Sequence, residues 1–392
     1  MLNEIAYKIQ TILNDLRPQR ALDLYGNREM KPLGHVLVSY VPLPLVGDVA
    51  RFRGHSNVWE CAEIVRIFNR LGYAVDLISW RDATFVPRRD YAMVFDIHRN
   101  LSRCSGPETR AIFHVTGSNP VFSNMAEQRR LADLRERRGG MLAPQRSVNE
   151  EDLRLFDENM DRADLITLIG NEVTEATFPP AFRDKIRRVI ATGAWLPGGR
   201  EPALPAAARE FLWFNGTGAV HKGLDLTLEV FARHPELVLH LVGPYLKEKD
   251  FVSAYHRELT GCPNIRSHGF LYPSGRKFRE IAGQVSAFVS PSCSEGISTS
   301  AITCMQLGLI PVISAHSGIT LPSDIGCLLQ ECTVEEIENA LLTLAAKSDE
   351  DLRVERARSR EFALNRFSRE EFSTIMEKAL LSQVKGARSR PL

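Results

Sequence analysis

The 392-residue chain carries almost no net charge: 49 Lys and Arg stand against 48 Asp and Glu, leaving +1. Whole-chain electrostatics therefore offers no pull toward nucleic acid, and no nucleic-acid partner is expected. A cysteine pattern is also missing. Cys61, Cys104, Cys262, Cys293, Cys304, Cys327 and Cys332 are odd in number and contain no C-x-x-C pair. That excludes a disulfide framework and a cysteine-built structural zinc site. No apolar run approaches the roughly 20 residues needed to cross a bilayer, so any membrane contact is expected to be peripheral. MLNEIAYKIQTILNDLRPQR mixes acids and bases in an amphipathic pattern and has no apolar signal core, so a reducing, cytoplasmic setting is expected. No repeat of fixed period is present. What remains is ordinary globular composition, 44% hydrophobic and 25% charged, in a chain long enough for two domains.

Apolar, β-rich runs alternate with amphipathic stretches. HVLVSYVPLP (35–44) reads as a strand. SNVWECAEIVRIFNRLGY (56–73) reads as a helix capped by Ser56 and stopped by Gly72, with Val58, Ala62, Val65, Ile67 and Phe68 as its apolar face. AVDLISW, YAMVFDI, IFHVTG, DLITLIG and IRRVIATGAW add further strands. This alternation predicts a mostly parallel sheet with helices on both faces. LPGGREPALPAAARE (196–210) is rich in Pro, Gly and Ala and loses the hydrophobic period, as an interdomain linker does. FLWFNG, GLDLTLEVFARHP, LVLHLVGP, NIRSHGF, SAFVSPS and LIPVISA then repeat the architecture. The expected organisation is a first doubly wound domain over 1–195, opening with a helical preface over 1–33, and a linker over 196–209. A second doubly wound domain over 210–370 follows, then a C-terminal helix over 371–385 that is a candidate to pack back on the first domain, and a tail over 386–392. Two such domains face each other across a cleft at the carboxyl ends of their sheets, where folds of this kind bind ligands.

Chemistry concentrates in two loops of the second domain. In FVSPSCSEGISTSAITCMQLGLIPVISAHSG (288–318) a buried strand ends in a small polar loop and a helix begins near Ser298. The amides of Gly296, Ile297, Ser298, Thr299 and Ser300 then form an anion-binding terminus suited to a phosphate. Glu295, just ahead of it, can accept hydrogen bonds from ligand hydroxyls or simply cap the helix. In FNGTGAVHKGLDLTLEVF (214–231), Lys222 lies among Gly216, Gly218 and Gly223, which permit close backbone approach to a ligand. Its ammonium can neutralise a diphosphate leaving group. The G-T-G at 216–218 is not a dinucleotide fingerprint, because His221 stands where its last glycine would be. In the first domain IFHVTGSN sets His114 near a strand end beside Thr116, Gly117, Ser118 and Asn119, and VFDIHRN ends a strand with Asp96, His98 and Arg99. GDVARFRGHSN brings His55 ahead of the first helix. The cluster EQRRLADLRERRGG reads as a solvated helix face or as a patch that rests against anionic lipid.

Through GTGAVHKGLDLTLEVF, NIRSHGF, VSPSCSEG and MQLGLIPVIS, the second domain resembles the retaining family 4 glycosyltransferases of the GT-B fold (glycosyl transferases group 1). The resemblance covers 209–330 well and the first domain more loosely. It implies an α/β GT-B fold of two Rossmann-like domains, with Lys222 on the donor diphosphate, Glu295 on the donor sugar and His114 contacting the reacting sugar and helping catalysis. Gly216, Thr217, Phe270, Thr303 and residues 296–300 fall at the donor, and His98, Arg99, Asn119 and His55 at the acceptor. Thr217 stands where the family has arginine, and Thr303 where it has the second glutamate of a Glu-x7-Glu motif. A lost charge-assisted hydrogen bond of about 1.5–3 kcal/mol predicts roughly ten- to hundred-fold weaker nucleotide binding, not lost chemistry. The expected activity is metal-independent transfer of a sugar, with retention, from a nucleotide-diphosphate donor to a polysaccharide or glycolipid acceptor. The donor is a co-substrate and no cofactor is implied; the expected place is the cytoplasm, including the inner face of the membrane. Two other readings stay open: a degenerate GT-B protein that binds sugar or a partner transferase without turnover, and a sugar-nucleotide epimerase, which needs a further carboxylate in the cleft.

Overall fold

The computed structural model describes residues 19–26, 30–42, 56–194 and 209–388. The expected linker, apart from Arg209, lies outside the described residues, as do residues 1–18 of the helical preface and His55. The first sheet holds β1 (Arg20–Leu24), β2 (Gly34–Tyr40), β3 (Tyr73–Ser79), β4 (Met93–Asp96), β5 (Arg110–Val115), β6 (Leu165–Ile169) and β7 (Ile186–Val189), in the order β1-β3-β2-β4-β5-β6-β7. The second holds β8 (Glu210–Phe214), β9 (Val238–Val242), β10 (Ile265–Ser267), β11 (Ala287–Ser290), β12 (Ile310–Ser314) and β13 (Cys327–Leu329), in the order β10-β9-β8-β11-β12-β13. Every pairing is parallel except that of β1 with β3. Both domains are therefore doubly wound α/β units.

The helical preface needs correction where the structure describes it: Arg20–Leu24 is an edge strand, not helix. The free edge of β3 offers unpaired backbone groups, and pairing with it outweighs the local helical pattern. Arg20 fixes the strand by donating to Asp82 at 2.6 Å.

Strand side chains alternate between two layers. On β2, Val36 and Val38 join a core shared between the domains, while Leu37 faces a separate core on the far side of the sheet. The helices that matter below are α1 (Ser56–Arg70), α2 (Pro120–Arg138), α3 (Glu150–Arg162), α4 (Leu224–Arg233), α5 (Thr299–Gln306), α6 (Val334–Ala345), α7 (Asp349–Arg366) and α8 (Arg369–Arg388). Helix α8 belongs to the tail of the chain yet packs on α1, with Phe372 edge-on to Trp59 at 5.7 Å and Arg70 paired with Glu377 at 2.7 Å. Among the described residues, no helix is long and apolar enough to cross a membrane.

The arginine cluster on α2 is neither a solvated face nor a lipid-facing patch along its whole length. Arg130 donates to the Pro291 carbonyl at 3.1 Å, Arg137 pairs with Asp225 at 2.9 Å and Glu229 at 3.1 Å, and Arg138 pairs with Glu258 at 2.7 Å. All four partners lie in the second domain. Charge that looks solvent-directed in the sequence thus bridges the two lobes.

Candidate active site

The two loops singled out in the second domain are fastened to each other. The Cys293 N–H donates to the His221 carbonyl at 2.9 Å, and His221 Nε2 donates back to the Ser294 carbonyl at 2.8 Å. Gly223 has φ +68°, and a Cβ there would meet the Pro291 carbonyl at 2.5 Å, so the lysine loop can lie against the glutamate loop only with glycine in place. Lys222 and Glu295 consequently meet in a buried ion pair, Nζ to Oε1. Burial alone would raise the Glu295 carboxyl, but the charge of Lys222 and its hydrogen bond outweigh it and hold it below the usual carboxylate value. Burial lowers the Lys222 ammonium, and Glu295 offsets only part of that. His221 is pushed down to about 4, by burial first and then by the Lys222 charge, so it is neutral at pH 7.

The pair opens onto a cleft of about 520 Å³ between the sheets. Gly216, Lys222, Phe270, Glu295, Ile297, Ser298, Thr299, Ser300 and Thr303 line it, so most donor-side expectations converge on one wall. Ser298 caps α5, its Oγ accepting from Ala301 N–H, and its own N–H donates to the Ser317 carbonyl at 2.9 Å. The amides of Thr299 and Ser300, by contrast, have no hydrogen-bond partner among the described residues. They point the positive end of the helix into the cleft.

Several expected positions fall elsewhere. Thr217 is exposed and does not line the cleft. Gly296 is wedged at the domain boundary, where an added Cβ would lie 2.6 Å from the Thr116 carbonyl oxygen and 2.7 Å from that of Ile169. The Thr303 hydroxyl is already committed: it donates to the Thr299 carbonyl at 2.7 Å and accepts from Ala194 N–H at 2.9 Å. It fastens the segment after β7 to α5 and has no hydrogen left for a nucleotide ribose.

His114 needs the larger correction. It is 1% exposed, stacked on Phe95 at 5.1 Å and covered edge-on by Tyr40, with Nδ1 paired to the Thr167 hydroxyl at 2.8 Å. Burial pushes it down to about 3, and it does not line the cleft. It sits one residue inside the end of β5, so the neighbouring strands cover it. Thr116, two residues on and on the same face, is what the strand end presents to the cleft. On the acceptor side, His98 pairs with Asp152 at 3.2 Å, Arg99 is exposed, and Asn119 caps α2 by accepting from Val121 N–H at 2.9 Å. None of these three lines the cleft.

The first-domain wall instead contains Tyr40, Glu60, Trp80, Thr116 and Arg146. Glu60 is buried on α1, its Oε1 accepting from the Thr192 N–H at 2.8 Å and hydroxyl at 2.9 Å, and burial pushes its carboxyl up to about 7. Nothing in the sequence pointed to it, because a glutamate within a helix reads as solvent-facing unless the opposing segment is known.

Residues 209–347 match the family model for glycosyl transferases group 1. No curated protein matches the chain in sequence. Among solved structures, the fold is similar to that of sucrose-phosphate synthase from Thermosynechococcus elongatus, at 15% identity and a TM-score of 0.61 over 90% of this chain and 99% of that one. It is also similar to HepE of Anabaena, solved with UDP and glucose, at 10% identity and a TM-score of 0.55 over 90% and 99%. WaaG, a glycosyltransferase involved in lipopolysaccharide biosynthesis, aligns at 12% identity and a TM-score of 0.54 over 88% and 98%. The chain spans 55% of the length of the S. aureus TarM structures it matches at 12% identity. The match over residues 209–347 makes that segment similar to a glycosyl transferases group 1 domain, and the chain as a whole has the GT-B fold.

Proposed function

We propose that the protein is a retaining glycosyltransferase that moves a sugar from a nucleoside-diphosphate donor to a glycan or glycolipid acceptor. The observation that carries this reading is the meeting of Lys222, Glu295 and the unpaired amides of Thr299 and Ser300 on one wall of the interdomain cleft. The group 1 match over 209–347 supports it. Lys222 and the helix terminus hold the pyrophosphate, and Glu295, kept ionised by its neighbours, accepts hydrogen bonds from sugar hydroxyls. The bond from the anomeric carbon to the phosphate oxygen breaks, a bond to the acceptor oxygen forms on the same face, and the acceptor proton passes to the departing phosphate. The protein's positive groups stabilise that departure, with no metal ion required.

The test is nucleotide release from UDP-, GDP- and ADP-sugars in the presence of candidate acceptors. Wild type should release nucleotide from at least one donor, and Lys222→Ala and Glu295→Ala should each lower kcat by about 10²–10³-fold. No release and no binding with any donor overturns the reading. Full activity of both variants overturns the assigned roles.

A second reading, epimerisation of a nucleotide sugar, draws on one observation, the Glu60 carboxyl in the cleft with its raised pKa. Isomerised donor in the absence of any acceptor would favour it.

A further inference from the structure

Arg146 enters the cleft from the first domain, on the loop between α2 and α3, and its backbone is held firmly. The N–H groups of Gln145 and Arg146 donate to the Glu127 carboxylate at 3.0 and 3.1 Å, and Glu127 is buried on α2. Asn124 brackets the loop further on, donating to the Val148 carbonyl and accepting its N–H, both at 2.8 Å. Ala143 N–H donates to Asp250 of the second domain at 3.0 Å. From this anchored point the side chain crosses the loop that follows β8. A Cβ at Gly218 would lie 2.7 Å from Arg146 Cγ and 3.2 Å from Cδ, so the glycine leaves room for the arginine stem. Arg146 lines the same cleft as Lys222, Gly216 and Glu295. Among the described residues, no carboxylate or carbonyl takes its guanidinium N–H groups.

The charge balance of the cleft gives this cation a task. Lys222 is already paired with Glu295. The amides of Gly218 and Ala219, which the loop could otherwise turn toward a phosphate, are taken by the Glu248 carboxylate at 2.7 and 2.9 Å. The second domain alone therefore meets a pyrophosphate with one lysine already neutralised and two helix-start amides. Arg146 is a positive charge beside them without a side-chain partner among the described residues. Its field reaches the site: after burial, it is among the charges that hold Lys222 and His221 below their usual values, and it helps keep Glu295 ionised.

We infer that Arg146 is the second cationic ligand of the leaving pyrophosphate, delivered across the cleft by the first domain. The inference rests on the proposed nucleotide-sugar donor and deepens it. The planar guanidinium can grip two phosphate oxygens at once, which a lysine cannot. Because Lys222 and Arg146 come from different lobes, the pyrophosphate meets both charges only when the lobes are together, so its departure is stabilised in the closed arrangement.

Calorimetric titration of wild type, Arg146→Ala and Arg146→Lys with UDP, GDP and ADP, and with the matching monophosphates, tests it. Melting of the unliganded variants serves as a folding control, since Arg146 is exposed and its side chain has no partner among the described residues. The diphosphate that binds wild type should bind Arg146→Ala about ten- to hundred-fold more weakly. The matching monophosphate should lose much less, and Arg146→Lys should recover only part of the diphosphate affinity. With the sugar donor, kcat should fall more than KM rises. Unchanged diphosphate affinity and unchanged kcat in Arg146→Ala overturn this inference and leave the donor reading standing. Failure of wild type to bind any diphosphate removes the donor reading, and this inference with it.

Discussion

Gly296→Ala isolates the contribution of the domain boundary, because the added methyl group would meet only backbone. It would lie 2.6 Å from the Thr116 oxygen, 2.7 Å from the Ile169 oxygen and 3.0 Å from the Gly117 Cα, all in the first domain. Ordinary contact begins at 3.4 Å, so the opposing wall must retreat by about 0.8 Å. Those oxygens sit at the ends of β5 and β6 inside a packed sheet and cannot yield singly, so the retreat separates the lobes. Separation loosens the hydrogen bond from Thr174 Oγ1 to the Gly296 carbonyl, 3.1 Å, and the contact between the Ser118 and Ser294 hydroxyls. Two neutral hydrogen bonds at about 1 kcal/mol each, with about 1–2 kcal/mol of overpacking, place the cost to the closed arrangement at about 3–4 kcal/mol. On the proposed function, that is roughly a hundred- to several-hundred-fold loss in kcat/KM. Melting should change less than activity, because the core behind the first sheet and most of the core behind the second are untouched. Gly283→Ala is the matched control: it lies in the helix Arg276–Gln284 with no heavy atom within 4 Å of the new methyl group, and should be neutral or slightly stabilising. A Gly296→Ala enzyme with wild-type kcat/KM would refute the idea that the loop must seat against the first domain.

Two further perturbations test particular groups. Glu60 has a usual value of 4.5 and is pushed to about 7 in the fold. The folded state therefore keeps a proton that the unfolded chain releases, and the stability this contributes is full below about pH 4.5 and lost as pH rises through 7. Glu60→Gln keeps an acceptor for Thr192 without the charge, so it should gain on wild type between pH 5 and 8 by on the order of 3 kcal/mol. Parallel melting curves across that range would reject the burial argument. His114→Asn preserves a partner for the Thr167 hydroxyl and removes the imidazole. Turnover should stay within about tenfold of wild type, since the imidazole is walled off from the cleft, whereas a loss of several orders of magnitude would restore a direct catalytic role.

The fold was legible because its signal is local and repeated. β-rich runs such as VLVSY and FLWF, separated by amphipathic helices, leave few arrangements other than parallel sheets covered on both faces. Lys222 and Glu295 were legible for a related reason: each lies in a strand-to-helix loop whose glycines and small polar residues mark close backbone approach. What escaped was set by packing between distant segments. Arg20–Leu24 becomes a strand only because β3 has an edge to offer. His114 was misplaced by two residues of strand, a small error in sequence that moves a side chain from a cleft into a core. Arg146 and Glu60 sit in stretches with no motif. Each reaches the cleft through partners 19 and 132 residues away, Glu127 and Thr192.

The boundary between the lobes combines apolar and polar contact. Near α8 the contact is apolar: Ile169, Ile190, Ile297 and Ile302 share one continuous core with Phe372 and Met376. Along α2 the contact is mixed: Leu134 is buried in the second domain's core with Leu131 packed against it, while Arg130, Arg137 and Arg138 reach polar partners there. Parting apolar surface costs free energy in proportion to its area, whereas water can replace most of a hydrogen bond or exposed ion pair. Asp225, fully buried at this contact, has one carboxylate oxygen without a partner among the described residues, and burial pushes its carboxyl up to about 6. Arg146 rides on the loop that leaves α2. Opening there would withdraw positive charge from the cleft and closing would restore it, so binding an anionic donor and seating the lobes draw on the same interaction.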